Sequence, residues 1–399
     1  MNSCKRDKRE AVNFELSPEL ESIRESVEKI CERFPDEYWL KLDNEAVFPK
    51  EFHRAMADAG FLGITMPEEY GGSGLGVLAA AVMMNTVGKG PGTFAGCSTI
   101  HINLFGPHPI VKFGTPEQKE RFLPPLIKGD QQCCFGVTEP DAGLDTTHIK
   151  TRAEKAKGGY IVNGRKMWTT TAQVAHKILL LTRTTPIEDC KKPTDGITLF
   201  YTDLDRTKID VKRIPKMGRA AVDSNAVFID GLFIRDDERI GEEGKGFSYL
   251  MHSLNPERIL VGSEAVGIGQ RALARAAKYA QERVVFGRPI GKNQAIAHPL
   301  AECWAELEAA YGMCMRAGWL YDSGKPCGPE ANAAKLLGGR AGHKAAERAV
   351  FTHGGMGYAK EYHVERYLRE SMIPRIAPVS EELILAHIAE RVLGLPKSY

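Results

Sequence analysis

The stretch Tyr160-Ile161-Val162-Asn163-Gly164-Arg165-Lys166-Met167-Trp168-Thr169-Thr170 begins with a short alternating run and carries an Asn-Gly pair, the signature of strands joined by a hairpin turn. Lys177-Ile178-Leu179-Leu180-Leu181-Thr182, together with interspersed Gly, Asn and Asp, extends this texture from Cys133 to about Gly244. The centre of the chain therefore reads as a small antiparallel β-domain. Before it, from Ser17 to about Gln132, apolar residues recur at helical spacing, as in Leu20, Ile23, Val27, Ile30 and Cys31, with Ser17-Pro18 as N-cap and first-turn proline. Pro67-Glu68-Glu69-Tyr70-Gly71-Gly72 interrupts that region as a turn, and Gly114-Thr115-Pro116-Glu117-Gln118 marks another helix start. After Gly246 helical stretches return over 247–284, 293–322 and 328–350, and Ala265, Gly267, Gly269 and Ala272 permit close helix contact. The expected plan is a multidomain α+β chain: helices over 1–134, the β-domain over 135–244 and a helix bundle over 245–399.

Composition narrows the function. A chain of 399 residues exceeds what one core usually supports. No run approaches the roughly eighteen apolar residues of a membrane span, and a formal charge of +2 gives no field for holding a nucleic acid. The nine cysteines are scattered, and the adjacent pair Cys133-Cys134 lacks metal or redox spacing, so reduced thiols and no metal are expected. The opening MNSCKRDKREAVNFELSPEL has no secretory character, and Pro396-Lys397-Ser398-Tyr399 is not the Ser-Lys-Leu peroxisomal address. A cytoplasmic location is expected, with mitochondrion and peroxisome left open.

Four segments can carry chemistry. Phe135-Gly136-Val137-Thr138-Glu139-Pro140-Asp141-Ala142-Gly143-Leu144-Asp145 combines a hydroxyl, glycines and backbone N–H groups in a loop that can approach a planar or phosphorylated ligand, although an ordinary strand-to-turn connection has the same composition. Trp168-Thr169-Thr170 sets an aromatic face beside two hydroxyls, suited to stacking on a flavin ring and tuning it, or else to filling a core. Glu282-Arg283-Val284-Val285-Phe286-Gly287-Arg288, followed by Gln294, offers arginines for a pyrophosphate or for a helix C-terminus in solvent. His353-Gly354-Gly355-Met356-Gly357-Tyr358 lets a backbone reach an anion or caps a helix.

In this order, over about residues 17–397, these segments resemble the acyl-CoA dehydrogenase family. Met66–Gly72, Gly114–Lys119, Gly244-Lys245-Gly246-Phe247 and Glu361–Arg366 add to the likeness. The resemblance implies an α-helical N-terminal domain, a central β-barrel-like domain and a C-terminal four-helix bundle, with FAD between domains and across a subunit interface. It implies that Phe135, Val137, Thr138, Gly143 and Leu144 lie along flavin and thioester, that Trp168, Thr169 and Thr170 flank the isoalloxazine, and that Arg283, Phe286, Gln294, Gly354 and Gly355 hold the FAD of a neighbouring subunit. Asn255 and Arg258 take positions that contact acyl-CoA. A homodimer is then the smallest complete unit and a homotetramer the usual assembly.

The implied reaction removes two hydrogens from the Cα–Cβ bond of an acyl-CoA, giving the trans-2-enoyl-CoA, with electrons passed to an electron-transferring flavoprotein. Its base is a carboxylate whose pKa burial raises toward neutrality. Many relatives carry it in a Glu-Gly-Thr loop, where this chain has Pro378-Val379-Ser380. Isovaleryl and long-chain branches place it before an arginine on a bundle helix, and Asn255-Pro256-Glu257-Arg258 matches, so Glu257 is the expected base. Pro378 also lacks the backbone N–H that polarises the thioester in relatives, a donor worth roughly 3 to 4 kcal/mol in the transition state. The resemblance implies that Val379 and Ser380 line the pocket there, Ser380 toward the cofactor and Val379, with Leu144, toward the substrate. Rival expectations keep the fold but change the chemistry to an oxidase or lyase, or abandon catalysis for binding.

Overall fold

The computed structural model describes residues 15–397. The first fourteen residues, read above for a secretory signal, and the last two of the carboxy-terminal tetrapeptide lie outside them.

Among the described residues seven helices come first: α1 (Pro18–Glu32), α2 (Asp36–Glu45), α3 (Lys50–Asp58), α4 (Val77–Lys89), α5 (Thr93–Phe105), α6 (His108–Phe113) and α7 (Pro116–Ile127). Their starts follow local chemistry. The Ser17 hydroxyl accepts from the Leu20 N–H at α1, and Thr115 and Gln118 form a reciprocal capping box at α7. Helices α4 and α5 are buried nearly all round, which is why they carry almost no charge.

The centre holds β1 (Cys133–Gly136), β2 (Arg152–Ala156), β3 (Gly159–Thr170), β4 (Lys177–Arg183), β5 (Ile197–Asp203), β6 (Ile209–Arg213), β7 (Ser224–Arg235) and β8 (Arg239–Ile240). They form one sheet in the order β6-β7-β3-β2-β4-β5-β8, with β1 beside β4. Three expectations are corrected. The sheet is mixed, because β1 and β2 each run parallel to β4, and it is open rather than barrel-like, β6 and β8 ending the order. Asn163-Gly164 is not a hairpin turn: β3 continues through it with a register shift against β7. The turn lies six residues earlier, at Lys157-Gly158, where Ala156 pairs with Gly159 and Gly158 takes a φ of 80°.

The last part contains α8 (Gly246–Glu282), a two-stranded ribbon of β9 (Val284–Val285) and β10 (Arg288–Pro289), then α9 (Gln294–Asp322), α10 (Gly328–His353), α11 (Val364–Ser371), α12 (Ile373–Ile376) and α13 (Glu381–Arg391). Helices α8, α9 and α10 pack on one another, and the long fourth neighbour of α8 and α9 is α4 from the first part, not a fourth long helix of the last. Two crossings need glycine: a Cβ on Gly267 would meet the Asn85 carbonyl at 2.4 Å, and one on Gly338 the Gly262 carbonyl at 2.5 Å. Asp322, ending α9, accepts from the Val77 and Leu78 N–H groups at 2.8 Å each and so caps α4.

Buried charge ties the parts together. Asp36 on α2 pairs with Arg271 and Arg275 of α8 and accepts from the Tyr367 hydroxyl of α11 at 2.8 Å. Asp43 holds Arg369 at 3.0 Å and the Ala220 N–H at 2.9 Å. Among the described residues no helix is long and apolar enough to cross a membrane, and no cluster of ligands suits a metal ion.

Candidate active site

Strand β3 and the loop after β1 are locked side by side. The Met167 N–H donates to the Thr138 carbonyl at 2.8 Å. The buried Lys166 ammonium donates to the Val137 carbonyl at 3.1 Å and to Glu139 at 2.9 Å. Glu139 in turn accepts from the Lys150 and Thr151 N–H groups at 2.6 and 2.9 Å. Burial pushes the Glu139 carboxyl up, but Lys166 and these donors more than offset it and hold it below the ordinary value. Phe135 anchors the loop edge-on against Phe105 of α5, with ring centroids 5.5 Å apart. Phe135, Val137 and Thr138 are half-buried, whereas Gly143 and Leu144 face outward.

Past Lys166 the strand breaks register, and Trp168 takes a φ of 61° with its side chain 55% exposed. A left-handed backbone at a bulky residue stores about 1 to 3 kcal/mol, and such strain collects at ligand sites. Thr169 is fully buried, yet its hydroxyl has no hydrogen-bond partner among the described residues. Thr170 is half-buried opposite Ser224.

Glu257 lies on α8 and is 6% exposed. No hydrogen bond or ion pair engages its carboxylate among the described residues. Burial pushes it up to about 7, opposed first by the charge of His101 and then by Arg258. His101 of α5 meets Glu264, two turns along α8, at 2.6 Å. Burial lowers the His101 pKa, but Glu264 outweighs it and the imidazole is held above its ordinary value. The Arg258 guanidinium donates to the Asn255 side-chain carbonyl at 3.2 Å, its Nε left without a partner among the described residues.

The loop in place of Glu-Gly-Thr contains a cis Ala377–Pro378 bond. Lys335 of α10, fully buried, donates to the Val379 carbonyl. The Ser380 hydroxyl accepts from the Leu383 N–H at 3.3 Å and caps α13.

Arg283, Phe286, Gln294, Gly354 and Gly355 form a second group, all exposed. Tyr279 stacks on His353 with centroids 4.2 Å apart, bringing the ends of α8 and α10 together. Phe286, wholly exposed with a φ of 52°, heads the β9–β10 turn with Gly287. Gln294 opens α9, and Gly354, with a φ of 60°, caps α10. From Glu257 to the end of α8 is roughly 38 Å of helix, the span of a small domain. Sequence reading missed Glu139, Lys166, His101, Glu264 and Lys335, whose partners come from distant parts of the chain.

Comparison with known proteins bears on this arrangement. Profiles of the acyl-CoA dehydrogenase N-terminal, middle and C-terminal domains match residues 17–130, 134–232 and 244–393. The acyl-CoA dehydrogenase fadE12 of Mycobacterium bovis is 33% identical over 97% of this chain and 99% of its own length. The butyryl-CoA dehydrogenase structure from Megasphaera elsdenii superposes with a TM-score of 0.90 at 29% identity, covering 96% of this chain and all of that one. An FAD complex of PigA gives a TM-score of 0.90 at 27% identity, again over 96% of this chain and all of that one. With all three domain profiles matched in order along one chain, the protein belongs to the acyl-CoA dehydrogenase family and is an FAD-dependent oxidoreductase.

Proposed function

We propose that this chain oxidises an acyl-CoA thioester between Cα and Cβ, with Glu257 as the base. The observation that carries the reading is a carboxylate almost wholly removed from water, without a hydrogen-bond or ion-pair partner among the described residues, and tuned by burial to about 7. Such a group takes a proton readily at neutral pH, as a base for a weakly acidic Cα–H must. The Cβ hydrogen departs with its electron pair as the new double bond forms.

The residues present fit a flavin. Trp168 turns a large aromatic face outward from a strained backbone, Thr169 buries a hydroxyl without a partner, and the Val137–Thr138 backbone is pinned beside them. Bound FAD supplies the acceptor for the Cβ hydride. Asn255, Arg258, Leu144 and Val379 are assigned to the thioester, and Lys335 fixes the loop that carries Val379.

Arg283, Phe286, Gln294, Gly354 and Gly355 are assigned to the FAD of a second subunit. Their distance along α8 from Glu257 supports this, as do the nearby exposed side chains of Phe351 and Tyr358, 63% and 89% accessible. A homodimer is then the minimal enzyme and a homotetramer the expected assembly, with an electron-transferring flavoprotein as the oxidant. The test is anaerobic mixing of the holoenzyme with straight, branched and cyclic acyl-CoAs. Bleaching of the flavin absorbance is expected, and is lost in Glu257→Gln; full bleaching in that variant removes Glu257 from the mechanism.

A further inference from the structure

Arg219 lies in the loop between β6 and β7 and contributes to no described ion pair within 4 Å. Among the described residues its guanidinium donates to two hydroxyls only, Ser98 on α5 at 2.9 Å and Ser224 at the start of β7 at 3.2 Å, and its buried Nε has no partner. The carboxylates whose charge reaches it are engaged elsewhere. Glu370 holds Thr93 and the Ala95 N–H, Asp223 holds the Gln173 N–H and Asn225, and Glu264 holds His101. Burial disfavours its charge and pulls its pKa down. An arginine stays charged all the same, and a largely desolvated cation without a counter-ion is costly unless something anionic arrives.

Its two partners say where that anion would come from. Ser224 pairs with Thr170, two residues from Trp168 on the wall assigned to the flavin. Ser98 stands one helical turn before His101 on α5, and His101 grips Glu264 on the helix that carries Glu257. Arg219 thus bridges the flavin wall and the helix facing the base. A fatty-acyl tail needs none of these groups, because an alkyl chain neither neutralises nor hydrogen-bonds a guanidinium.

We infer that Arg219 is a specificity residue that receives a carboxylate at the far end of the acyl group, so that the preferred substrates are short acidic acyl-CoAs rather than plain fatty acyl-CoAs. The inference rests on the acyl-CoA reading above and narrows its substrate class. Arg is suited to the task because its planar fork can grip a carboxylate through two donors.

The test compares acyl-CoA pairs of equal length, four to six carbons, one ending in a carboxylate and one in a methyl group, such as glutaryl-CoA and pentanoyl-CoA. Binding to the holoenzyme is read by calorimetry, so discrimination is measured whether or not the flavin bleaches. Bleaching is scored separately and judges the dehydrogenase reading alone. The carboxylate member is expected to bind at least about tenfold tighter at one length, with the preference lost in Arg219→Gln and only partly kept in Arg219→Lys. Equal affinity for both members at every length overturns the inference. So does an Arg219→Gln protein that weakens both equally, or that retains its acyl-CoA affinities but loses FAD, since the guanidinium would then serve the fold or the cofactor. Should Arg219→Gln fail to fold, an unchanged preference in Arg219→Lys overturns it as well.

Discussion

His101 of α5 and Glu264 of α8 form a buried ion pair at 2.6 Å, seven residues along the same helix from Glu257. The imidazolium is the first influence opposing the rise that burial imposes on the Glu257 carboxyl. It therefore helps to keep Glu257, the proposed base, ionised at neutral pH. In His101→Gln that help disappears, and the pH at which flavin reduction becomes half-maximal moves above about 7. Reduction rates below pH 7 are expected to fall by about an order of magnitude and to recover at alkaline pH. A rate–pH profile measured by stopped flow decides it, since a purely structural loss lowers the curve without displacing it.

Glu257 carries a stability cost that its replacement removes. Its folded value of about 7 lies above its ordinary 4.5, so between those pH values the native state keeps a proton that the unfolded chain releases. Native stability consequently falls as pH rises through this window, by up to about 3 kcal/mol once pH exceeds 7. Glu257→Gln is expected to be inactive yet to melt at a higher temperature than the parent at pH 8, with the difference vanishing near pH 4.5. Thermal scans of the two proteins at both pH values measure this, and an equal melting temperature at pH 8 contradicts it.

The Lys166–Glu139 pair is expected to be a joint requirement of fold and cofactor. Lys166→Met leaves Glu139 buried among backbone donors without its counter-ion, a loss of about 3 to 5 kcal/mol. It also removes the bond to the Val137 carbonyl, leaving the Met167–Thr138 backbone bond as the link that remains between this loop and β3. Denaturant unfolding is expected to show that loss, and FAD content after gel filtration is expected to drop. The double variant Lys166→Met with Glu139→Gln, which removes both charges and keeps an amide oxygen for the Lys150 and Thr151 N–H groups, should recover part of the stability.

Local signals were legible in the sequence wherever the physics is local. Ser17, Thr115 and the helix spacing of 247–284, 293–322 and 328–350 foretold real helices, because caps and periodicity act within a few residues. Asn163-Gly164 misled for the same reason: the pair favours a hairpin in isolation, but cross-strand pairing with Arg152 and Ile229 carries the strand through it. The parallel placement of β1 on β4 could not be read, since it depends on which distant segments meet. Glu257 is singled out in the sequence only by its neighbour Arg258 together with family likeness. The pairs His101–Glu264 and Lys335–Val379 join residues 163 and 44 positions apart and leave no local trace.

Phe286 offers the sharpest test of a site shared between subunits. Its side chain is wholly exposed and its backbone left-handed, so Phe286→Asn removes no packing within the chain and suits the turn better, leaving the lone subunit as stable or slightly more so. If the ring meets a partner's FAD, that variant retains cofactor poorly and loses activity. Mixing it with Glu257→Gln after dissociation then creates dimers in which one site collects both defects and the other has neither. Random reassociation is expected to restore about a quarter of the parent activity, because half of the dimers are mixed and each carries one intact site. A site built within one chain cannot be repaired by mixing, so activity that stays at the level of the separate variants assigns Glu257 and Phe286 to the same subunit's site.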